Sequence, residues 1–309
     1  MSGYLARFAA GSVAVLCAAS ALSVPSVALE SSAPSVAAQA NERVLYVSAF
    51  DEKTRVPITG LGVRDFVVRE DGAAREVLRV TPATSPMAVA ILVDNTQAAT
   101  NNIADTRRAL QSFVTALDGI GPVSIIGIAD RPTILRDYTT DQQQLQDGVG
   151  RVFAMPDSGA TLLDAIHEIS RGLQKRQEDR AAMVIVTAEN IEFSTRHYRD
   201  VLDALARGGA QMHAVILNTP AGSSLDDAAR NRAHVFDEGP KTSGGTRTDI
   251  LTSQAFEGRL QELAAILKSQ HRVVYGRPQT LIPPEKIEVS AVKPGIVAAG
   301  GPARGQALR

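Results

Sequence analysis

Two polar residues with binding chemistry, Asp94 and Thr96, directly follow an apolar segment. Residues 89–93 (VAILV) form an unbroken apolar run with β-branched members, and Pro86 lies shortly before it. Such a run predicts a strand of a parallel sheet that helices cover on both faces. Ligands of these sheets bind beyond the carboxyl ends of the strands. We therefore expect ligand binding at Asp94 and Thr96. The alternative is that they satisfy loop amides and cap the next helix.

The remaining polar groups do not form a recognisable catalytic pattern. Asp164, in a predicted helix, is typical of an exposed acid. The sequence has no Gly-x-Ser-x-Gly nucleophile motif and no Gly-x-x-x-x-Gly-Lys phosphate loop. Its histidines also lack the His-x-x-x-His spacing of a zinc site: His167, His197, His213, His234 and His271. We therefore expect a protein that is not an enzyme, with a secreted hydrolase as a weaker hypothesis.

The composition narrows the class of partner. The chain has 309 residues, of which 44% are hydrophobic and 21% are charged, and its formal net charge is −1. Nucleic-acid binding needs clustered Lys and Arg, which this sequence lacks. There is no Trp, and the single cysteine, Cys17, lies near the N-terminus. A protein partner is therefore expected rather than a nucleic acid.

Residues 1–28 have the pattern of a secretory signal peptide. Arg7 precedes a small, apolar stretch, and no acidic residue occurs before Glu30. Small residues before Ala28 predict a cleavage site there, with Ala40 as a second candidate. An uncleaved membrane anchor is the alternative. Residues 29–41 are typical of a flexible linker. We expect an exported protein, periplasmic or extracellular, with no stable membrane span after signal cleavage.

The elements that must position Asp94 and Thr96 form an α/β pattern over residues 86–275. Strands are predicted at residues 89–93, 123–129, 133–138, 182–187, 212–217 and 272–275, with amphipathic helices between most of them. One helix is expected to be capped by Ser194 or Thr195, and residues 219–248 are expected to be the least structured part. The alternation predicts a doubly wound, mostly parallel, Rossmann-like sheet with helices on both faces.

The two flanks of this region predict a small β module. Residues 42–82 contain alternating segments and an Asp71-Gly72 hairpin turn, and residues 276–309 contain a further alternating segment at 286–292. A few strands alone are not stable. We therefore expect the N-terminal and C-terminal β segments to pair with each other.

The motifs together resemble the von Willebrand factor A (VWA) domain. The resemblance rests on a strand ending in Asp-x-Thr, a later Gly-Ala-Thr before Leu-x-Asp-Ala-Ile, and a strand ending in Val-Thr. The flanks resemble secreted bacterial "VWFA-related" proteins at Gly60-Leu61, Asp65-Phe66, Glu70-Asp71-Gly72, Ser243–Thr246 and QHRVVYGRP.

The resemblance implies a metal-ion-dependent adhesion site. In that site D-x-S-x-S on one loop, a Thr on a second and an Asp on a third surround Mg²⁺, and an acidic side chain of a protein partner completes the shell. By position, Asp94, Thr96 and Thr161 match. Ala98 and Ala188 stand where a hydroxyl and an acid should be, and Glu189 is a candidate to compensate. Mg²⁺ prefers near-octahedral coordination by oxygen ligands, and two of the ligand positions are alanine here. We therefore expect binding of Mg²⁺ or Mn²⁺ to be weak or absent.

The resemblance therefore implies an exported, non-enzymatic protein that mediates protein binding or adhesion through the loops at the end of its sheet. The alternative function is a scaffold component of a cell-envelope assembly with a vestigial metal site.

Overall fold

The structure is a computed structural model, and it describes residues 42–188, 191–218, 226–277 and 284–306. The predicted signal peptide, the predicted linker and Glu189 lie outside the described residues. The strands are β1 Glu42–Asp51, β2 Phe66–Glu70, β3 Ala73–Arg75, β4 Val77–Pro82, β5 Met87–Val93, β6 Val123–Gly127, β7 Thr133–Thr139, β8 Arg180–Ala188, β9 Ala210–Leu217, β10 Arg247–Ile250, β11 His271–Gly276, β12 Ile287–Ala291 and β13 Ile296–Pro302. The α-helices are α1 Ile103–Ala116, α2 Gln142–Gly150, α3 Leu162–Leu173, α4 Tyr198–Gly208, α5 Asp227–Ser243 and α6 Ala255–Lys268.

The main sheet has the strand order β10-β9-β8-β5-β6-β7. Its strands run parallel except β7, which pairs antiparallel with β6 at the edge. All seven residues of β5 are buried. This confirms the doubly wound, mostly parallel sheet. The polar loop after β5 consequently lies at the carboxyl ends of the parallel strands, which we call the loop end.

Helices cover both faces of this sheet and divide its core in two. Val89, Ile91 and Val93 of β5 pack with apolar residues of α1, α2 and α6. Ala88, Ala90 and Leu92 face the other way and pack with α3, α4 and α5. The alternation along β5 explains why its whole sequence is apolar: each successive side chain enters one of two hydrophobic layers.

The flanks form the expected β module. β12 pairs antiparallel with β2, which joins the C-terminal flank to the N-terminal one. A second antiparallel sheet has the order β13-β1-β11-β4. Apolar residues of the two sheets share a core that includes Leu45, Val68 and Tyr275. Asp71 and Gly72 both have positive φ, which fits the predicted hairpin turn.

The structure corrects four details of the sequence interpretation. Within residues 219–248, expected to be poorly structured, α5 spans Asp227–Ser243, and residues 219–225 lie outside the described residues. α4 begins after His197 rather than after Ser194 or Thr195, and the His197 Nδ1 accepts a hydrogen bond from the Arg199 amide. β11 joins the β module instead of the parallel sheet, because its antiparallel partners are β1 and β4. β13 was not predicted.

Arg180 joins the main sheet to the β module. It is the first residue of β8, and its guanidinium donates hydrogen bonds to the carbonyls of Ala83, Ser85 and Leu267 and to Gln270 Oε1, at 2.9–3.2 Å. Burial lowers the pKa of Arg180 to about 10, so it remains charged near neutral pH. This cation fixes the base of the sheet, opposite the loop end. Within the described ranges, no helix has the length and apolar character that spanning a membrane requires.

Candidate functional site at the loop end

Asp94 is the central acid of the loop end. It follows the last residue of β5, and only 3% of its surface is exposed. Its Oδ1 accepts hydrogen bonds from the Thr96 amide at 3.1 Å and the Thr96 hydroxyl at 2.8 Å. Its Oδ2 accepts from the Thr187 hydroxyl at 3.0 Å and the Ala188 amide at 3.4 Å. Two of these donors are loop amides, as the structural alternative expects, whereas Thr96 makes no side-chain capping hydrogen bond to the 3₁₀ turn that follows it.

The first loop is held in place by Asn95 and Thr96. Asn95 Oδ1 accepts a hydrogen bond from the Ala129 amide at 3.1 Å, and its backbone carbonyl accepts from the Met155 amide at 2.9 Å. Thr96 has extended backbone and precedes a 3₁₀ turn at Gln97–Ala99. Both side chains are at least 96% buried. The loop is therefore tied to the end of β6 and to the loop that leads to α3.

Thr161 lies at the start of α3, on the second loop. Its hydroxyl donates to the backbone carbonyl of Ile128 at 3.3 Å, while the Ile128 amide donates to the carbonyl of Val93 at 3.1 Å. The same loop reaches the first through Ser158, whose Oγ accepts from the Gln97 amide at 3.2 Å. The structure thus places Thr161 in the same cluster of loops as Asp94, with its hydroxyl bonded to the backbone.

The third loop contributes Thr187 and receives a buried arginine, Arg232 of α5. Arg232 Nη2 donates to the carbonyl of Ala188 at 2.7 Å and contacts Thr187 Oγ1 at 3.2 Å. The Thr187 hydroxyl in turn donates to Asp94 Oδ2. A continuous path of hydrogen bonds therefore connects a guanidinium to the Asp94 carboxylate. Arg232 is 7% exposed and Thr187 is 1% exposed.

Glu192 is a second buried acid at this end of the sheet. Its Oε1 accepts from the amides of Leu163 and Ser194 at 3.4 and 3.3 Å, and its Oε2 lies 4.0 Å from Arg232 Nε. Burial raises the pKa of Glu192, whereas the hydrogen bonds from Ser194 and the charge of Arg232 act in the opposite direction. Arg232 therefore lies between two acidic groups that are both removed from water.

The residues that match the metal pattern supply few free ligands. Asp94 uses both oxygens toward protein donors, and the hydroxyls of Thr96 and Thr161 donate to protein oxygens. Ala188 offers no carboxylate, and Ala98 offers no hydroxyl. Among the described residues, no group of three or more His, Cys, Asp and Glu side chains is arranged to hold a metal ion. This donor set does not fit the octahedral oxygen shell of Mg²⁺.

Large, exposed apolar side chains lie on the loops of this end of the sheet. Phe153, Met155, Ile191 and Phe193 are between 44% and 61% exposed, and we call these four residues the apolar rim. They lie on adjoining loops: the amide of Met155 donates to Asn95, and the amide of Phe193 donates to Ala160. The Arg107 guanidinium carbon lies 4.8 Å from the centre of the Phe153 ring. The surface of the loop end is therefore apolar with a cation at its edge.

An open cleft of about 500 Å³ lies beside the third loop, between the first turns of α4 and α5. Its wall includes the rings of His197, Tyr198 and His234, whose neighbouring centroids are 4.5 and 4.7 Å apart. The two histidines are far apart in the sequence, and both lie against the Tyr198 ring, so their spacing gave no sign that they line one cleft.

The family profile for the von Willebrand factor type A domain matches residues 89–190. That segment runs from β5 to the end of β8 and contains Asp94, Thr161 and Thr187. The chain contains a VWA domain. The match includes residues of all three expected loops, and it does not extend to the β module or to α5.

Several solved structures are similar to this chain at low sequence identity. A von Willebrand factor type A protein from Catenulispora acidiphila is 10% identical, with a TM-score of 0.46, and the match covers 86% of this chain and 72% of that one. The conserved hypothetical protein BatB from Bacteroides thetaiotaomicron is 16% identical over 59% of this chain and all of that one, with a TM-score of 0.46. A mutant of the PilB minor pilin from Streptococcus sanguinis is 9% identical over 60% and 62% of the two chains, with a TM-score of 0.43. No curated protein matches the sequence significantly.

Sequence reasoning missed the residues that complete the VWA loop end. The sequence pattern marks Thr187 only as the end of a strand, although a hydroxyl after a buried strand is the same signal that identifies Thr96. Arg232 lies in the stretch expected to be poorly structured, so nothing in the pattern connected it with Asp94.

Proposed function

We propose that this protein is an exported, non-enzymatic binding protein that docks a protein partner on the loop end of its VWA domain. The observation that carries the proposal is the apolar rim. Large apolar side chains exposed together are typical of protein interaction surfaces. Aromatic side chains such as Phe153 and Phe193 also dominate the binding energy of many interfaces.

The chemistry of the rim favours a partner with an apolar segment and an acidic side chain. Apolar groups of the partner would pack on Phe153 and Phe193. Arg107, which stacks against Phe153, offers a positive charge beside them. An acid of the partner can therefore pair with Arg107 and needs no metal ion.

Site-specific photocrosslinking in the native cells tests this surface. We expect Phe193→benzoylphenylalanine to give a discrete crosslinked product that disappears when Phe153→Asp is added. The matched control is Leu78→benzoylphenylalanine, since Leu78 is 42% exposed on β4 of the β module. A product from position 78 with none from position 193 would refute docking at the loop end. It would favour the alternative, a scaffold component that uses its β module.

Export is supported by the signal pattern of residues 1–28. It predicts that the protein recovered from the periplasm or the medium begins at Leu29, or at Asn41 if the second site is used. Mass spectrometry of the N-terminal peptide measures this directly. Recovery of the intact N-terminus with the cytoplasmic fraction would contradict export.

A further inference from the structure

The loop end has two buried acidic side chains, Asp94 and Glu192, and only Asp94 matches the metal pattern. Asp94 and Glu192 are each 3% exposed. An ionised carboxylate that leaves water needs an opposite charge or several hydrogen bonds to be stable in the folded state. In the site that the VWA resemblance implies, the opposite charge is a divalent cation. In this chain, the position that should supply the third-loop acid is Ala188.

Arg232 brings a positive charge to that same position. Its Nη2 donates to the backbone carbonyl of Ala188 at 2.7 Å, and its Nε lies 4.0 Å from Glu192 Oε2. Through Thr187 Oγ1, at 3.2 Å from Arg232 and 3.0 Å from Asp94, it is also connected to the first acid of the pattern. A guanidinium suits this role because it is always charged and has donors in several directions.

We propose that the Arg232 guanidinium is the built-in cation of this site and replaces the divalent ion of a complete VWA metal site. The loop end is then held in one arrangement by the chain itself. Its binding surface does not depend on Mg²⁺ or Mn²⁺. This charge balance is independent of any protein partner at the loop end.

The same contacts explain why a metal ion is excluded. The ion would have to approach Asp94 while a permanent positive charge lies one hydroxyl away from that carboxylate. It would also have to displace Thr187 and the Ala188 amide from Asp94 Oδ2. Both effects oppose binding of a metal ion. Restoring ligands at Ala98 and Ala188 is therefore not sufficient for metal binding as long as Arg232 is present.

Engineered metal binding provides the sharpest test. Ala98→Ser with Ala188→Asp restores the two missing ligands and keeps Arg232, and adding Arg232→Met removes the guanidinium. Calorimetric titration with Mn²⁺ should show no saturable binding to the wild type. It should show binding to the triple variant that is at least about tenfold tighter than to the double variant. Equal Mn²⁺ affinity in the double and triple variants would overturn the proposal.

Thermal unfolding gives an independent readout. Arg232→Met leaves two buried acids without their cation and should lower Tm by about 10 °C. Arg230→Met is the matched control on the same helix. The side chain of Arg230 is 62% exposed, and its pairing with Asp227 is on the surface, so Tm should barely change. If Arg232→Met unfolds at the same temperature as Arg230→Met, the guanidinium does not carry the charge balance.

If the engineered variants do not fold, Mn²⁺ binding to the wild-type protein still tests the proposal. Saturable Mn²⁺ binding to the wild-type protein that Asp94→Asn abolishes would show that Arg232 does not replace the ion. Absence of such binding up to millimolar Mn²⁺ is the expected result.

Discussion

Thr187 connects the two charges of the loop end. Its hydroxyl donates to Asp94 Oδ2, and the same oxygen lies within hydrogen-bond distance of Arg232 Nη2. A hydroxyl has one proton to donate and lone pairs to accept with, so it can serve both groups at once. Serine keeps this capacity, whereas valine has nearly the same shape but offers no polar atom.

We therefore predict that Thr187→Val lowers the free energy of unfolding by about 2 kcal/mol, because a buried carboxylate and a guanidinium each lose a partner. Thr187→Ser is the matched control and should lose much less. Urea denaturation of the three proteins measures the difference. Valine and serine variants of equal stability would show that the hydroxyl does not link the two charges.

His213 is a buried histidine of the main sheet whose pKa is shifted mainly by its burial. It lies in β9, and its Nδ1 is 3.0 Å from Thr246 Oγ1. Burial, and to a lesser degree the charge of Arg55, lowers the pKa of His213 to about 3. The folded protein therefore keeps this ring neutral at pH values where the unfolded chain protonates it. This buried environment agrees with the absence of zinc-site spacing around His213 in the sequence.

Above about pH 6.5 His213 is neutral in both the folded and the unfolded protein, so it does not reduce the free energy of unfolding. As the pH falls toward 3, only the unfolded chain is protonated at His213, and the free energy of unfolding decreases progressively. At pH 5 the loss is about 2 kcal/mol. We predict that the stability difference between the wild type and His213→Gln changes by this amount, in favour of the variant, between pH 7.5 and pH 5. A difference that stays constant with pH would contradict the lowered pKa.

At the scale of elements, Arg180 fixes β8 against the start of β5 and the end of α6. It donates to four oxygen acceptors from two separate segments of the chain, residues 83–85 and 267–270, and no carboxylate is among these acceptors. A lysine has a shorter reach and only three donors from a single nitrogen, so it cannot bond to all of these groups.

Arg180→Lys should consequently lower the free energy of unfolding by about 3 kcal/mol. Arg171→Lys, an exposed position on α3, is the control and should be nearly neutral. Chemical denaturation followed by circular dichroism compares them. A neutral Arg180→Lys would mean that the joint between the main sheet and the β module does not depend on the guanidinium.

The elements that sequence alone predicted are those with strong periodicity. β5 and β8 are continuous apolar runs, and α3 has a clear apolar stripe, so their positions followed from the residues. α5 was missed because its buried apolar residues are few, Pro240 lies within it, and its N-terminal signal, Asp226, precedes no apolar run. Tertiary contacts hold it: Val235 and Phe236 pack on the sheet.

The candidate site was predicted only in part for a related reason. Asp94, Thr96 and Thr161 follow recognisable strands or begin a helix, so position identified them. Arg232 reaches Thr187 across 45 residues of sequence. No local pattern encodes such a contact, because it depends on how α5 packs against the end of β8. The pairing of β11 with β1 also depends on distant segments and could not be assigned from alternation.

At the scale of the whole molecule, the polar network and the apolar rim have separate roles. The β module and Arg180 stabilise one end of the sheet. Asp94, Thr187 and Arg232 hold the loops at the other end, and the rim on those loops supplies the proposed docking surface. A partner that docks there meets a surface whose shape the chain determines without added ions.

The most direct measurement is the thermal unfolding of the mature wild-type protein in EDTA and in millimolar Mg²⁺, beside Asp94→Asn. A bound ion stabilises the folded state by RT ln(1 + [L]/Kd), which is about 2.7 kcal/mol at a hundredfold excess over Kd. We predict the same Tm for the wild type in both buffers, because Arg232 already balances the charge. A rise in Tm with Mg²⁺ that Asp94→Asn abolishes would contradict a metal-independent loop end.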